Sequence, residues 1–570
     1  MGAVMLKERN WGRLRWLGVP LAAALLTGCG DDAAQPANNT SDATTLSGSV
    51  FASYVNGASC QVVDTNGNVI AGPFTSSASG AYSIPLPDSH LAENLVVECS
   101  GGTFTDEATG TTQTAGDMKA YIAGGTASVG TAVHVTPSTT IITALIERHD
   151  MSATAAIDAF TSAFGFTPDY AVAPTDATNP AADASEARLL AGLRAATFSQ
   201  LTKDLVLGPA EQFALFEALA DDLANGALDG QSATGDVTVG AVTLPADIQN
   251  RFNRALVNFR DTAGGGRDAS GLDNSKIGVL PFAKTAMTDN YKMTYVEGMH
   301  PAINGKTAFS IKVTDHNDVP VSGLNVSIDP LMNMDGGRLH KTTYNASCDE
   351  MPVVSGEYHC TVYYLMPSVM GMGEMARSMG YWQLAVTAGA ETADFYPKVM
   401  MAMGDTAQVR LQAKSGDMDN VMAMGGGSGA RTYYLYKQGL SGTAGNYKLD
   451  LFIATIESMM SFPAIATGHT LNAGTMHELV LNSIEVAVST DGEIWLPLVE
   501  GAAGHWSIND LMLADNMQST IYVKLTVNGD QKTAGGGELN NVPLDSLAPV
   551  NNHYAVFKLT PGGGMMHMPM

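Results

Sequence analysis

Apolar residues in this chain recur at a period of two near its start, switch to a period of three to four at Thr136, and return to two at Ala308. Period two places alternate side chains on opposite faces of a strand, whereas three to four lines one face of a helix. The chain therefore reads as β, then helical, then β. Leu46, Val50 and Ala52 precede an Asn56-Gly57 turn, and Gly80-Ala-Tyr82-Ser-Ile84-Pro-Leu86 is a turn followed by a short strand. Thr136 caps and Pro137 opens a first helix. Ser152 caps a second, with Ile157, Phe160 and Phe164 on one face and Gly165 as its stop. Pro209 opens another, which Asn225-Gly226 ends, and Ile248, Phe252, Leu256 and Phe259 mark the last. Strands follow at 309–313, 326–328, 358–366 and 382–386, then at 432–436, 448–453, 480–488 and 520–527, with Asp491-Gly492 as a hairpin turn.

Lys7, Arg9, Arg13 and Arg15 precede a mostly apolar run, 17–26, too short to span a bilayer. It ends in Leu26-Thr27-Gly28-Cys29, which resembles the lipobox of bacterial lipoproteins, where the Cys is lipidated and becomes the first mature residue. The resemblance implies a signal peptide at 1–28, lipidation of Cys29 and a membrane as partner through that lipid. Gly30, rather than Asp, after the Cys implies an outer-membrane lipoprotein facing the periplasm or the cell surface. Residues 29–45, rich in Asp, Ala, Asn, Ser and Thr, read as a disordered tether. The remaining cysteines form two local pairs, Cys60 with Cys99 and Cys348 with Cys360, which an oxidising compartment closes. The alternative, thiolate metal ligands, lacks any Cys-x-x-Cys. A net charge of −26 excludes nucleic acid as a partner.

All of the 30 methionines except Met1, Met5, Met118 and Met151 lie at or after Met287. They crowd among Gly, Pro, Asn and Asp, which are turn residues, and turns run over the surface. Accessible thioethers are therefore expected at Met332, Met334, Met366, Met370, Met372 and Met375, with His340 beside them. Met379, Met400, Met401 and Met403 continue the series. Met418, Met422 and Met424 lie in a Gly-rich stretch, and Met565, Met566, His567, Met568 and Met570 in a Gly-rich tail with no core to fill. Met459, Met460, His469, Met476, His477, His505 and Met512 are placed to line one end of the last β region. Thioethers with a few imidazoles form a soft donor set that selects Cu(I); oxidant scavenging is the rival chemistry.

The order Asp318-Val-Pro320-Val, Met332-Asn-Met334, Gly356-Glu-Tyr358 and Gly380-Tyr-Trp382-Gln-Leu384-Ala-Val386 resembles the YtkA-like or FixH-like β-sandwich family over about residues 300–412. The resemblance implies an immunoglobulin-like fold and an association with copper. Where the family often has Met-Pro-x-Met, this chain has Leu331-Met332-Asn-Met334. The tail resembles the methionine motifs of copper carriers. Asp64-Thr-Asn66-Gly67 followed by Gly80-x-Tyr82-x-Ile84-x-Leu86-Pro resembles the carboxypeptidase-regulatory or transthyretin-like sandwich.

The expected fold is thus multidomain and mainly β, immunoglobulin-like and transthyretin-like sandwiches with one helical domain between the N-terminal and C-terminal β regions. Its expected parts are a sandwich at 46–135, helices at 136–263, a linker at 264–299, the YtkA-like sandwich at 300–414, a Gly/Met-rich linker at 415–430, a C-terminal sandwich at 431–560 and a tail at 561–570. No Gly-x-Ser-x-Gly, His-Glu-x-x-His or Walker loop is present, and a non-enzymatic role is expected. The functional expectation is a lipid-anchored exported protein that binds Cu(I) for sequestration or delivery to a copper-accepting protein. The alternative is a non-enzymatic surface-interaction or adhesion lipoprotein with a Met-rich face. Cys29→Ala is expected to abolish incorporation of labelled palmitate and to move the protein out of the membrane fraction; palmitate labelling of the variant would contradict the lipobox reading.

Overall fold

The computed structural model describes residues 43–128, 131–345, 347–371, 376–414, 417–423, 426–534 and 553–562. These residues form a mainly β protein with a helical middle. Cys29 and most of the expected tether lie outside the described residues, but the tether's last three residues already belong to the strand Ala43–Ser49. That strand pairs antiparallel with Ala81–Pro87. A four-stranded sheet runs in the order Val69–Thr75, Ser59–Asp64, Leu95–Ser100, Met118–Ile122. Cys60 and Cys99 face each other across it and are disulfide-bonded, as are Cys348 and Cys360 further on.

The helix Pro137–His149 starts where the sequence places it, because Thr136 accepts from the Thr139 backbone while the Thr139 hydroxyl caps back. Its buried face, with Ile141, Ile142 and Leu145, shares one core with Leu46, Ile84, Val97 and Met118 of the strands. The sandwich expected at 46–135 and the helices expected at 136–263 are therefore a single packed body. A strand face and a helix stripe that each need covering cover each other. Buried carboxylates sit in the same body. Asp222, near the end of the helix Gln212–Leu223, is buried and accepts from the backbone N–H groups of Asp229, Gly230 and Gln231. Burial outweighs those bonds and pushes its carboxyl up to about 6.

Two expected linkers are corrected by the structure. Within 264–299, Thr285–Met287 and Lys292–Glu297 are strands, and they open the middle sheet. Their inward residues, Ala286, Met293 and Tyr295, are too few to stand out as a periodic run among lysines and aspartates. The middle sheet continues through Gly305–Thr314, Glu357–Tyr364, Ser347–Glu350, Val326–Asn333, Tyr381–Ala388 and Glu391–Phe395. Trp382, Tyr364, Tyr295 and Phe309 fill its inside, with the Tyr364 and Trp382 rings 4.8 Å apart. Within 415–430, Asn420–Met422 pairs with Ser428–Ala430 as a hairpin. Gln408–Gln412, expected in the middle sandwich, pairs instead with Thr432–Thr443 of the last one. That last sandwich has two five-stranded sheets closed around Trp506, Tyr433, Leu451 and Phe557.

The middle and last sandwiches are locked together. Tyr363 stacks on Phe452 at 4.1 Å between centroids, and both lie in a small core with Tyr436. Tyr363 Oη donates to Gln438 Oε1 at 2.7 Å, and Gln408 Nε2 donates to the Leu365 carbonyl.

In the N-terminal body, Glu107 is buried beside Asp176 and Asp106, and burial holds its carboxyl well above the ordinary range. It accepts from the Ala177 N–H. A raised folded value means that this group's stabilisation is complete at acid pH and is lost as pH rises through that value. Glu107→Gln keeps the acceptor and cannot ionise. The variant is expected to melt higher than the natural chain at pH 8, with the difference vanishing near pH 4; thermal scans across pH check this, and a variant that loses stability at every pH would contradict it.

Candidate metal centre

Val326, Ile328, Pro330 and Met332 all face inward along Val326–Asn333, in strict alternation. Met332 is therefore a core residue, 0% exposed, and not the accessible loop thioether expected from sequence. Pro330 hides this continuation, since proline inside a strand argues against one. The register sets Met332 opposite His340 on one side and opposite Trp382 on the other. Directly opposed residues of antiparallel strands share a face, with Cβ atoms about 4.5–5.5 Å apart. His340, 2% exposed, and Trp382 thus flank a buried thioether, with their rings 5.4 Å apart edge to face.

Met366 closes the row. Its Sδ lies 3.3 Å from His340 Nε2, and its carbonyl accepts from Trp382 Nε1 at 3.1 Å. The other imidazole nitrogen, Nδ1, lies 2.8 Å from the Lys341 carbonyl. A carbonyl can only accept, so Nδ1 carries the proton and Nε2 presents a lone pair. A thioether has no proton to give. Two electron-pair donors therefore face each other, His340 buried and Met366 half-buried, and burial holds the imidazole below its ordinary value, which keeps it neutral. That arrangement suits a soft cation between nitrogen and sulfur. The indole at the edge adds an aromatic face, which favours positive charge.

The last sandwich covers this row of side chains from one side. Lys341 N–H donates to the Met459 carbonyl and Thr343 Oγ1 to the Phe462 carbonyl, and the Phe462 ring is 6.4 Å from His340. Of the other expected ligands, Met334 and Met379 are half-buried against the same core, and Met370 is exposed. Met372 and Met375 lie outside the described residues, as do Met424 and the tail residues Met565, Met566, His567, Met568 and Met570.

Hydrogen bonds stitch the loops at this end together. Ser368 N–H donates to Val399 O, Met379 N–H to Ser368 O, and Met400 N–H to Ala302 O. Exposed Met299, Met370, Met400, Met401 and Met403 consequently gather around one end of the middle sandwich. Trp382, Phe462 and the Met459 carbonyl were not picked out as site residues from sequence. Only Trp382 carried a signal, as the one large inward residue in a run of Leu384, Val386 and Ala388. Among the described residues no group of three or more His, Cys, Asp or Glu side chains is placed to hold a metal ion. A metal reading therefore rests on sulfur with a single imidazole.

No family model matches the chain, and no curated protein matches it. Among solved structures, the Yersinia pseudotuberculosis adhesin InvE is 12% identical, over 42% of this chain and 58% of the adhesin, with a TM-score of 0.13. Domains 5–6 of the S-layer protein SbsC are 10% identical over 48% of this chain and all of theirs, with a TM-score of 0.14. The titin domains Z1Z2 in complex with telethonin are 11% identical over 42% of this chain and 91% of theirs, with a TM-score of 0.11. None of these likenesses bears on what the chain does.

The Nδ1–H tautomer of His340 is expected to persist at pH 7. Nitrogen-15 NMR of histidine-labelled protein would give Nε2 as the unprotonated nitrogen, with protonation displaced to the acid side of the ordinary histidine range. An Nε2–H tautomer would contradict the geometry.

Proposed function

We propose that this chain is an exported, lipid-anchored protein that binds Cu(I) through thioether and imidazole. The observation that carries the reading is the approach of His340 Nε2 to Met366 Sδ with no proton to share between them. His340, Met366 and Met332 would hold the ion, and bound Cu(I) supplies a one-electron carrier kept reduced by soft ligands. The protein's own contribution is to hold the imidazole in one tautomer and to exclude water with Trp382 and Phe462. Two disulfides agree with an oxidising compartment, where thiols are poor resident ligands. Exposed methionines at the same end suit delivery, since accessible thioethers exchange easily.

A surface-interaction role is the second reading. Exposed Met299, Met400, Met401 and Met403 at one end would offer an adaptable apolar contact to a protein or glycan.

Met366→Leu conserves volume, so it is expected to change stability by less than ~1.5 kcal/mol. Anaerobic competition with a chromogenic Cu(I) chelator, run on the full chain, is expected to show at least about a tenfold loss of affinity in Met366→Leu and in His340→Gln. Tight binding unchanged by both substitutions would remove the junction site; no tight binding by the natural chain would sink the copper reading and leave the interaction role.

A further inference from the structure

Lys532 is 0% exposed, which is rare for a lysine. Its backbone is fixed where the two sheets of the last sandwich meet. Lys532 N–H donates to the Leu525 carbonyl, and the next residue, Thr533, exchanges both backbone hydrogen bonds with Gln412 of the other sheet. The ammonium points at two buried carboxylates, with Nζ 2.8 Å from Asp419 Oδ2 and 3.4 Å from Asp417 Oδ2. The Tyr433 ring lies over the same ammonium, 5.9 Å away at its centroid. Around these two aspartates the usual polarity is inverted, since Met418 between them is 86% exposed and Met422 is 64% exposed.

The two carboxylates are held differently. Asp419 is fixed as an anion: Arg431 Nη1 donates to its Oδ1 at 2.6 Å, and Tyr433 Oη donates to its Oδ2 at 2.6 Å. Arg431 is itself buried and pairs through Nε with Glu457 at 2.8 Å. Asp417 Oδ2 accepts from the Lys414 backbone N–H at 3.2 Å, and among the described residues Lys532 is the one cation that its carboxylate meets. A primary amine, a carboxyl group at its side and a second carboxylate that can carry a proton are thus held together out of water. Burying the ammonium and the carboxylate as ions costs desolvation, which an amide made from the same two groups does not.

We propose that Lys532 and Asp417 join as an intramolecular isopeptide bond, with Asp419 as the catalytic base. Asp419 takes a proton from the Lys532 ammonium, and the freed Nζ lone pair attacks Asp417 Cγ. The nitrogen–carbon bond forms and one carbon–oxygen bond of Asp417 breaks. The leaving oxygen departs as water with two of the three ammonium protons, both relayed by Asp419, and the third stays on the amide nitrogen. Asp419 ends as it began, and no co-reactant is consumed. Fixed geometry takes the place of an activating group. The bond would tie together residues 115 apart in the chain and brace one sheet of the last sandwich against the other. No residue of the His340–Met366 centre takes part, so the proposal is independent of copper.

The test is peptide mapping by mass spectrometry of the full chain, denatured and reduced before digestion with trypsin. Trypsin cuts after lysine and arginine but not after an amide-linked lysine. The natural chain is expected to give residues 415–431 joined to residues 525–558, with Lys532 uncut and the pair lighter than its sum by one water. Fragmentation is expected to place the link at Asp417. In Lys532→Arg the charge stays but the amine is gone, and 415–431 is expected as a free peptide of full mass. Free 415–431 and 525–532 from the natural chain would overturn the bond. A link that fragmentation places at Asp419, or one that survives in Lys532→Arg, would overturn the assignment.

Discussion

The bond from His340 Nδ1 to the Lys341 carbonyl decides what the middle sandwich can do. It fixes one tautomer, and so it turns the Nε2 lone pair onto the Met366 thioether. Everything around it maintains that aim. The short strand Leu339–Lys341 is held in register against Val326–Asn333, so the imidazole cannot slide along the core. Lys341 is pinned twice more, by Asp329 at its ammonium and by the Met459 carbonyl at its backbone. Trp382 holds Met366 by its carbonyl, leaving the sulfur to be set by the side chain alone. An orienting partner of this kind on a ligating histidine typically carries a 10–100-fold effect on metal affinity.

The two C-terminal sandwiches act as one support for this centre. The Tyr363–Phe452 stack and the Lys341–Met459 bond tie the strand that carries His340 to the last sandwich, so the covered side of this row is a junction between the two sandwiches. Further along, the last sandwich buries Arg431 and Lys532 against three carboxylates. Removing one partner of such a network typically costs about 3–5 kcal/mol, because the others are left as uncompensated buried charge. That cost explains how a hairpin can keep methionines outside and aspartates inside.

Much of the fold was legible because it rests on local signals. Thr136-Pro137 and Ser152 through Gly165 carry their own caps, and the strands around Phe309 and Trp382 alternate cleanly. Failures came where local and tertiary signals part. Pro330 masked a strand, and a Gly-rich composition masked a hairpin whose anchors are ion pairs from distant residues, Glu457 and Lys532. The helical segment read as a domain because a helix stripe does not say what covers it; here the N-terminal strands do. For the centre, residue types and neighbourhood were readable at Met332, His340 and Met366. The burial of Met332 and His340 was not, since a turn-rich setting argued for exposure while the strand period, carried four residues past Ile328, put Met332 in the core.

The central claim is that His340 and Met366 share one soft cation. X-ray absorption at the copper edge tests it most directly, on the full chain loaded anaerobically with one equivalent of Cu(I), beside the same experiment on Met366→Leu. The account predicts a first shell that contains both nitrogen and sulfur in the natural chain and loses sulfur in the variant. A shell of nitrogen and oxygen alone, or one of sulfur alone that the substitution leaves unchanged, would contradict it.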